Sequence, residues 1–98
     1  MDHFSDNLDR LIGLHGLYHR EAAKLLGLSV NTIAKWKSGD RSPSFPVAMR
    51  VAEFFGVPTD RLANAAFEDL LAHELADPER YRATEKRIQR ARAGLKSV

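Results

Sequence analysis

The sequence predicts an all-α protein, a bundle of short helices with one further helix at its C-terminal end. Three observations carry this. Apolar residues recur at spacings of three and four along most of the chain, and no stretch alternates apolar with polar residues as a half-buried strand does. The successive apolar runs are closed by Gly16, Gly27, Gly39 and Gly56, the residue type that most readily ends a helix in the left-handed conformation. Ser5, Ser29 and Ser44 precede three of the runs, where a hydroxyl can accept an unpaired N–H of the first turn.

Taken in order, Ser5 is expected to cap a first helix with Leu8, Leu11, Ile12 and His15 on one face, ended by Gly16. A second, about Tyr18 to Leu26, buries Ala22, Ala23 and Leu26 and stops at Gly27. Ser29 caps a third from Val30 to Ser38, closed by Gly39. After the loop Asp40-Arg41-Ser42-Pro43, Ser44 caps a fourth. Pro46 is tolerated there because its missing N–H falls in the unpaired first turn. Val47 or Ala48, Val51, Ala52 and Phe55 form its inward side, and Gly56 ends it. Val57-Pro58-Thr59 opens a fifth helix, expected to run unbroken to about Ala76 with Leu62, Ala66, Phe67, Leu70, Leu71 and Leu75 apolar. Asp77-Pro78-Glu79 opens a sixth, from Pro78 to about Ala93. A domain at 1–71 and a C-terminal helical extension at 72–98 are expected.

Ninety-eight residues suffice for one compact domain with a modest core. Hydrophobic residues at 44% and charged ones at 29% fit a globular chain rather than a disordered one. With no cysteine, disulfides, thiolate chemistry and cysteine-based zinc sites are excluded. No apolar run approaches the roughly 20 residues of a membrane span, and Met1 to Asp6 lack the basic, then apolar, start of a signal peptide. A cytoplasmic location, at a bacterial nucleoid, is expected.

The net charge of +2 is small, but its distribution is uneven. Residues 1–16 sum to −2, residues 17–50 to +4, residues 51–79 to −6 and residues 80–98 to +6. Two basic blocks flank an acidic one, and the first basic block is where nucleic-acid contacts are expected.

Two short helices joined by Gly27-Leu28-Ser29 make a unit that can present a helix to the major groove. Gly27 supplies the left-handed backbone of a sharp turn, and Ala23 is small enough for close approach of the two axes. On a wheel of about 100° per residue with Val30 at zero, Ile33 and Trp36 point near roughly 300° and 240°, the core side. Asn31, Ala34, Lys35 and Ser38 fall between roughly 40° and 140°, on the opposite side. That face holds an amide, a cation and two small residues, and no acid. Asn31 can bridge adenine N6 and N7, Lys35 can donate to guanine O6 and N7, and Val30 and Ala34 can pack on thymine methyls. Lys37, Ser38 and Arg41 would reach the DNA backbone, and a phosphate would meet the start of the second helix near His19.

The stretches Gly16-Leu17-Tyr18-His19-Arg20-Glu21-Ala22-Ala23, Leu26 to Gly39 and Arg41-Ser42-Pro43-Ser44 resemble the lambda-repressor/Cro-type helix-turn-helix family, also called XRE. Val51-Ala52-Glu53-Phe54-Phe55-Gly56-Val57, with Leu62 after it, resembles the family's later helices. The resemblance covers roughly residues 8–65 and implies a five-helix bundle in a transcriptional regulator of bacterial or phage type. It implies phosphate contact at His19, where members commonly carry Gln, and base-reading or groove-edge roles for Ser29, Val30, Asn31 and Lys35. Ser38 and Arg41 match phosphate-contacting places, and Ser29 and Thr32 are counted with the backbone set. Many members have Trp-Glu-x-Gly with the Glu paired to an Arg on the first helix. Here Trp36-Lys37-Ser38-Gly39 faces Ile12, so that ion pair is absent and Lys37 is expected to be free for a phosphate.

No nucleophile–base pair or Gly-rich phosphate loop is present, and Glu68 and Asp69, adjacent on a helix, point apart. No enzyme activity and no cofactor are expected. His15 and His19 are separated by Gly16 and a helix boundary, and His3 and His73 are isolated, so no metal site is expected. Arg20, Lys24, Arg50 and Arg61 read as solvated surface. Tyr81, Thr84, Ile88, Ala91 and Leu95 follow a heptad-like spacing. They suit a dimerisation stripe, a basic arm, a frayed tail or a helix folded back on the acidic fifth helix; the opposite block charges favour folding back or an antiparallel partner helix.

The expected function is a sequence-specific repressor that binds a two-fold double-stranded DNA operator as a homodimer, through Phe67, Leu70, Leu71 and Leu75. No ligand-sensing domain is expected. The alternative is an antitoxin-like protein that holds a partner protein with its C-terminal helices and autoregulates by binding DNA.

Overall fold

The computed structural model describes residues 3–96. Met1, Asp2, Ser97 and Val98, the ends of the two expected segments, lie outside them. The described residues form seven helices and no strand: α1 (Phe4–Leu14), α2 (His19–Leu26), α3 (Val30–Ser38), α4 (Phe45–Phe55), α5 (Thr59–Asn64), α6 (Phe67–Ala72) and α7 (Pro78–Lys96). The all-α prediction holds, and Ser44 takes the cap position of α4 without a side-chain capping bond, but two elements differ from expectation.

The first concerns the start of α1. Ser5 lies inside the helix, and the cap position belongs to His3, whose side chain makes no capping bond. Phe4 explains the shift: it is buried against Trp36, ring centroids 5.4 Å apart and edge to face, so the first turn forms around it. His3 N–H donates to Ala63 O at 3.0 Å and ties this end of the chain to α5.

The second is that the expected fifth helix is two helices. The backbone is extended at Ala65 and Ala66. Asn7, wholly buried, donates its amide to Leu62 O and Ala65 O, each at 2.8 Å. In an unbroken helix those carbonyls would accept from the N–H groups four residues on; at the break the Asn7 amide takes that place. The turn lays Phe67 and Leu70 into the core beside α1. Leu75 N–H donates to Leu70 O at 2.8 Å, ending the segment before the expected Ala76.

One core gathers Leu8, Leu11 and Ile12 of α1, Ala22 and Leu26 of α2, Val51 and Phe55 of α4, Leu62, Leu70 and Ile88. Ala48 is the buried member of the Val47/Ala48 alternative. Ile88 is fully buried, so α7 completes the bundle. It packs on α2 and α4, where the block charges had favoured the acidic fifth helix.

Most of the remaining ties of α7 are polar. Arg87 Nη2 donates to Glu53 O at 3.2 Å and Phe54 O at 2.6 Å, a cation on the exposed carbonyls of a helix C-terminus. Gln89 donates to His15 O at 2.8 Å. The buried His15 ring stacks on Phe55 and on Tyr81, and its Nδ1 pairs with Glu85. Burial and the nearby Glu85 carboxylate push the Tyr81 hydroxyl above its ordinary pKa. Gly56 ends α4 at φ +70°, and a Cβ there would stand 2.7 Å from Thr84 Oγ1, so glycine serves both the left-handed turn and the close approach of α7.

Candidate nucleic-acid interface

Helix α2 ends at Gly27, φ +70°, and Leu28 N–H turns back to donate to Ala23 O at 2.8 Å. Two residues later Ser29 caps α3: its hydroxyl accepts Thr32 N–H at 3.1 Å and lies 2.9 Å from Thr32 Oγ1. Both α3 boundaries match the sequence expectation. Ile33 and Trp36 are buried between the helices. Their burial forces the opposite face outward, and Val30, Asn31, Ala34 and Lys35 are all exposed. Val30 keeps 49% of its surface in solvent, an apolar side chain at the start of a polar face.

The residues expected at the DNA backbone divide into three groups. Arg41 is exposed in the loop after α3. Ser29 and Thr32 are bonded to each other, and Ser38 donates its hydroxyl to Lys35 O at 3.1 Å, inside its own helix. His19 and Lys37 come together on Asp9 of α1: His19 Nε2 stands 2.7 Å and Lys37 Nζ 3.4 Å from Asp9 Oδ1. Lys37 is therefore not free, which corrects the expectation. Asp9 lies one turn before Ile12 on α1, so an acid offset by one turn replaces the ion pair that Ile12 cannot make. The signal was an acid three residues before the vacant partner position, on a helix packed against α3.

Asp9 is held below the ordinary carboxylate pKa. The His19 hydrogen bond contributes most, partial burial opposes it, and Lys37 adds a hydrogen bond and its charge. A cleft of about 430 Å³ opens beside this cluster, lined by Asp6, Asp9, Trp36, Lys37, Arg41 and Pro43 among others. Its two acids oppose its two cations, so it is not an anion pocket.

The four residues expected to form a dimer stripe are mostly taken up within the chain. Phe67 and Leu70 are buried, Leu75 packs against the core, and Leu71 stays 43% exposed. The break at Ala65 and Ala66 rotates the stripe inward. Among the described residues no group of three or more His, Asp or Glu could hold a metal ion, and no helix is long and apolar enough to cross a membrane.

A short helix locked by two large apolar side chains, joined through a left-handed glycine to a second helix and presenting an acid-free face, defines a helix-turn-helix. The family model described as helix-turn-helix matches residues 10–62, more than half of the chain. The chain belongs to this family, of the lambda-repressor/Cro type. Over 44 residues it is 43% identical to an uncharacterized HTH-type transcriptional regulator of Methanocaldococcus jannaschii, a match covering 45% of this chain and 67% of that protein. No solved structure gives a significant match.

Proposed function

We propose that the chain is a sequence-specific DNA-binding transcriptional regulator, acting as a repressor in the cytoplasm, that reads the major groove with α3. The carrying observation is the outward face of α3, where Val30, Asn31, Ala34 and Lys35 are exposed together while Ile33 and Trp36 fix the helix from behind. Asn31 reads adenine, Lys35 reads guanine, and Val30 and Ala34 meet thymine methyls. Arg41 reaches the phosphates directly, and Ser29, Thr32 and Ser38 border the backbone from within their local bonds. His19 and Lys37 approach phosphates from their place on Asp9. The name of the Methanocaldococcus jannaschii relative supports the regulatory reading.

On this reading the protein acts as a homodimer on a two-fold operator, half-sites about 10 bp apart. The partner-protein alternative relies on the same C-terminal helices, whose Phe67, Leu70 and Ile88 are buried in the chain's own core.

Selection of bound duplexes at stated salt, with sedimentation of the free protein, tests the reading. Symmetric recovered sites are expected. Asn31→Ala should weaken the preferred site by about 1–3 kcal/mol and flatten preference at one base pair. An equal loss on every sequence would remove Asn31 from base reading.

A further inference from the structure

Beside His19, the Tyr18 ring stands 61% exposed, with two guanidiniums against it. Arg20 of α2 has its Cζ 5.1 Å from the ring centroid, and Arg92, near the end of α7, has its Cζ at 6.0 Å. A single carboxylate organises the group. Glu21, only 9% exposed, accepts Tyr18 N–H on Oε1 at 2.9 Å and Arg92 Nε on Oε2 at 2.9 Å. The start of α2 and the end of α7 are thus fastened at one point, and the C-terminal basic block, seven cations against one acid, reaches the flank of the helix-turn-helix.

We infer that Tyr18, Arg20 and Arg92 form a clamp for a DNA backbone phosphate next to the one met by His19, which makes α7 part of the nucleic-acid interface. The inference rests on the DNA-binding reading above. The chemistry favours phosphate. Guanidinium is a planar fork that bonds phosphate oxygens in pairs. A ring beneath it limits the freedom lost on binding, and the Tyr18 hydroxyl adds a donor. As a structural device the Tyr18–Arg20 contact would gain little, because both are exposed, where cation–π contacts contribute least; Arg92 is the member that also fastens α7. Glu21 offsets one of the two cations and Asp9 offsets Lys37, so the charge of Arg20 leaves the flank positive.

The test uses the full chain and a duplex carrying the selected site, titrated with salt, for wild type, Arg20→Gln, Arg92→Gln and Arg92→Lys. Arg20→Gln touches no packed group, so it reports on the clamp even where Arg92→Gln loosens α7 in a thermal melt. Each Gln variant is expected to weaken specific and scrambled duplexes by the same factor, with the salt slope reduced by about 0.9 per lost phosphate contact. Base preference should stay intact, and Arg92→Lys should keep most of the slope. A neutral methylphosphonate at one flanking position should weaken wild type and leave the Arg20→Gln/Arg92→Gln double variant unchanged. Wild-type slope and affinity in both Gln variants, with Asn31→Ala still flattening base preference, would overturn the clamp and leave the DNA reading standing. A wild-type chain without salt-dependent DNA binding overturns that reading first, and the clamp with it.

Discussion

Helices α3 and α7 are fastened to the same bundle by opposite means. Two large apolar side chains, Ile33 and Trp36, hold α3. Helix α7 is held by the buried Ile88 and by a ring of polar ties to His15, Glu21, Glu53 and Phe54. Apolar burial is non-directional, involves no titrating group and needs only one side of a helix, so α3 keeps a complete face for a ligand. Polar fastening depends on geometry and charge, and it ties α7 to helix ends, where backbone groups are unpaired. On the proposed reading, the helix that reads the groove has the more robust anchor, and α7 the more adjustable one.

The largest effect expected along this contrast is at Trp36. Trp36→Ala removes the main anchor of α3 and the edge-to-face partner of Phe4, and should cost about 3–5 kcal/mol. Set against a total stability of about 5–15 kcal/mol, that lowers the midpoint in urea sharply and abolishes specific binding. A fall of under about 1 kcal/mol would mean that α3 is held by something other than packing.

Glu85→Ala comes next. It deprives the buried His15 Nδ1 of its partner, and a hydrogen bond to a charged group contributes about 1.5–3 kcal/mol. Hydrogen exchange should quicken in α7 and in the last turn of α4 while α3 keeps its protection. Uniform loss over the whole chain would show that the two regions do not differ as described.

The smallest effect is at Asp9, whose ties are partly exposed. Asp9→Asn should change stability by less than about 1 kcal/mol, yet strengthen binding to every duplex, because a carboxylate that competes with phosphate for His19 and Lys37 is gone. Weaker binding would assign Asp9 to holding those two side chains in place. Its pKa is depressed in the folded chain, so its stabilising share is complete above the ordinary carboxylate pKa and is lost as pH falls through the depressed value. Acid unfolding of Asp9→Asn should therefore be slightly less steep than that of wild type.

How legible each region was in the sequence follows from where its determinants lie. Helix α3 was read to the residue because Ser29 and Gly39, which bound it, adjoin it. The break between α5 and α6 was not, because the amide that takes its carbonyls belongs to Asn7, 55 and 58 positions away. A trace existed: Asn7 sits among Phe4, Leu8 and Leu11 on the buried face of α1, where an amide needs partners. The inward stripe of α7 was visible around Ile88, but its partner was not. Block charges carry no geometry: Glu74 pairs with Arg61 within its own segment at 2.8 Å, and Arg87 bonds main-chain oxygens. The Asp9 cluster was missed because His19 and Lys37 were each matched to DNA rather than to each other's neighbour.

The bond from Arg87 to the end of α4 also bears on the order of assembly. The ties that dock α7 span 33 to 74 positions, so each closes a long loop whose entropy must be met before the contact repays it. The turn at Gly27 closes over five residues, from Leu28 to Ala23. A chain emerging from the ribosome can therefore form α2, the turn and α3 while α7 is still unsynthesised. Gly56 N–H already closes α4 on Glu53 O, but the Phe54 carbonyl gains its cation only when the last helix arrives.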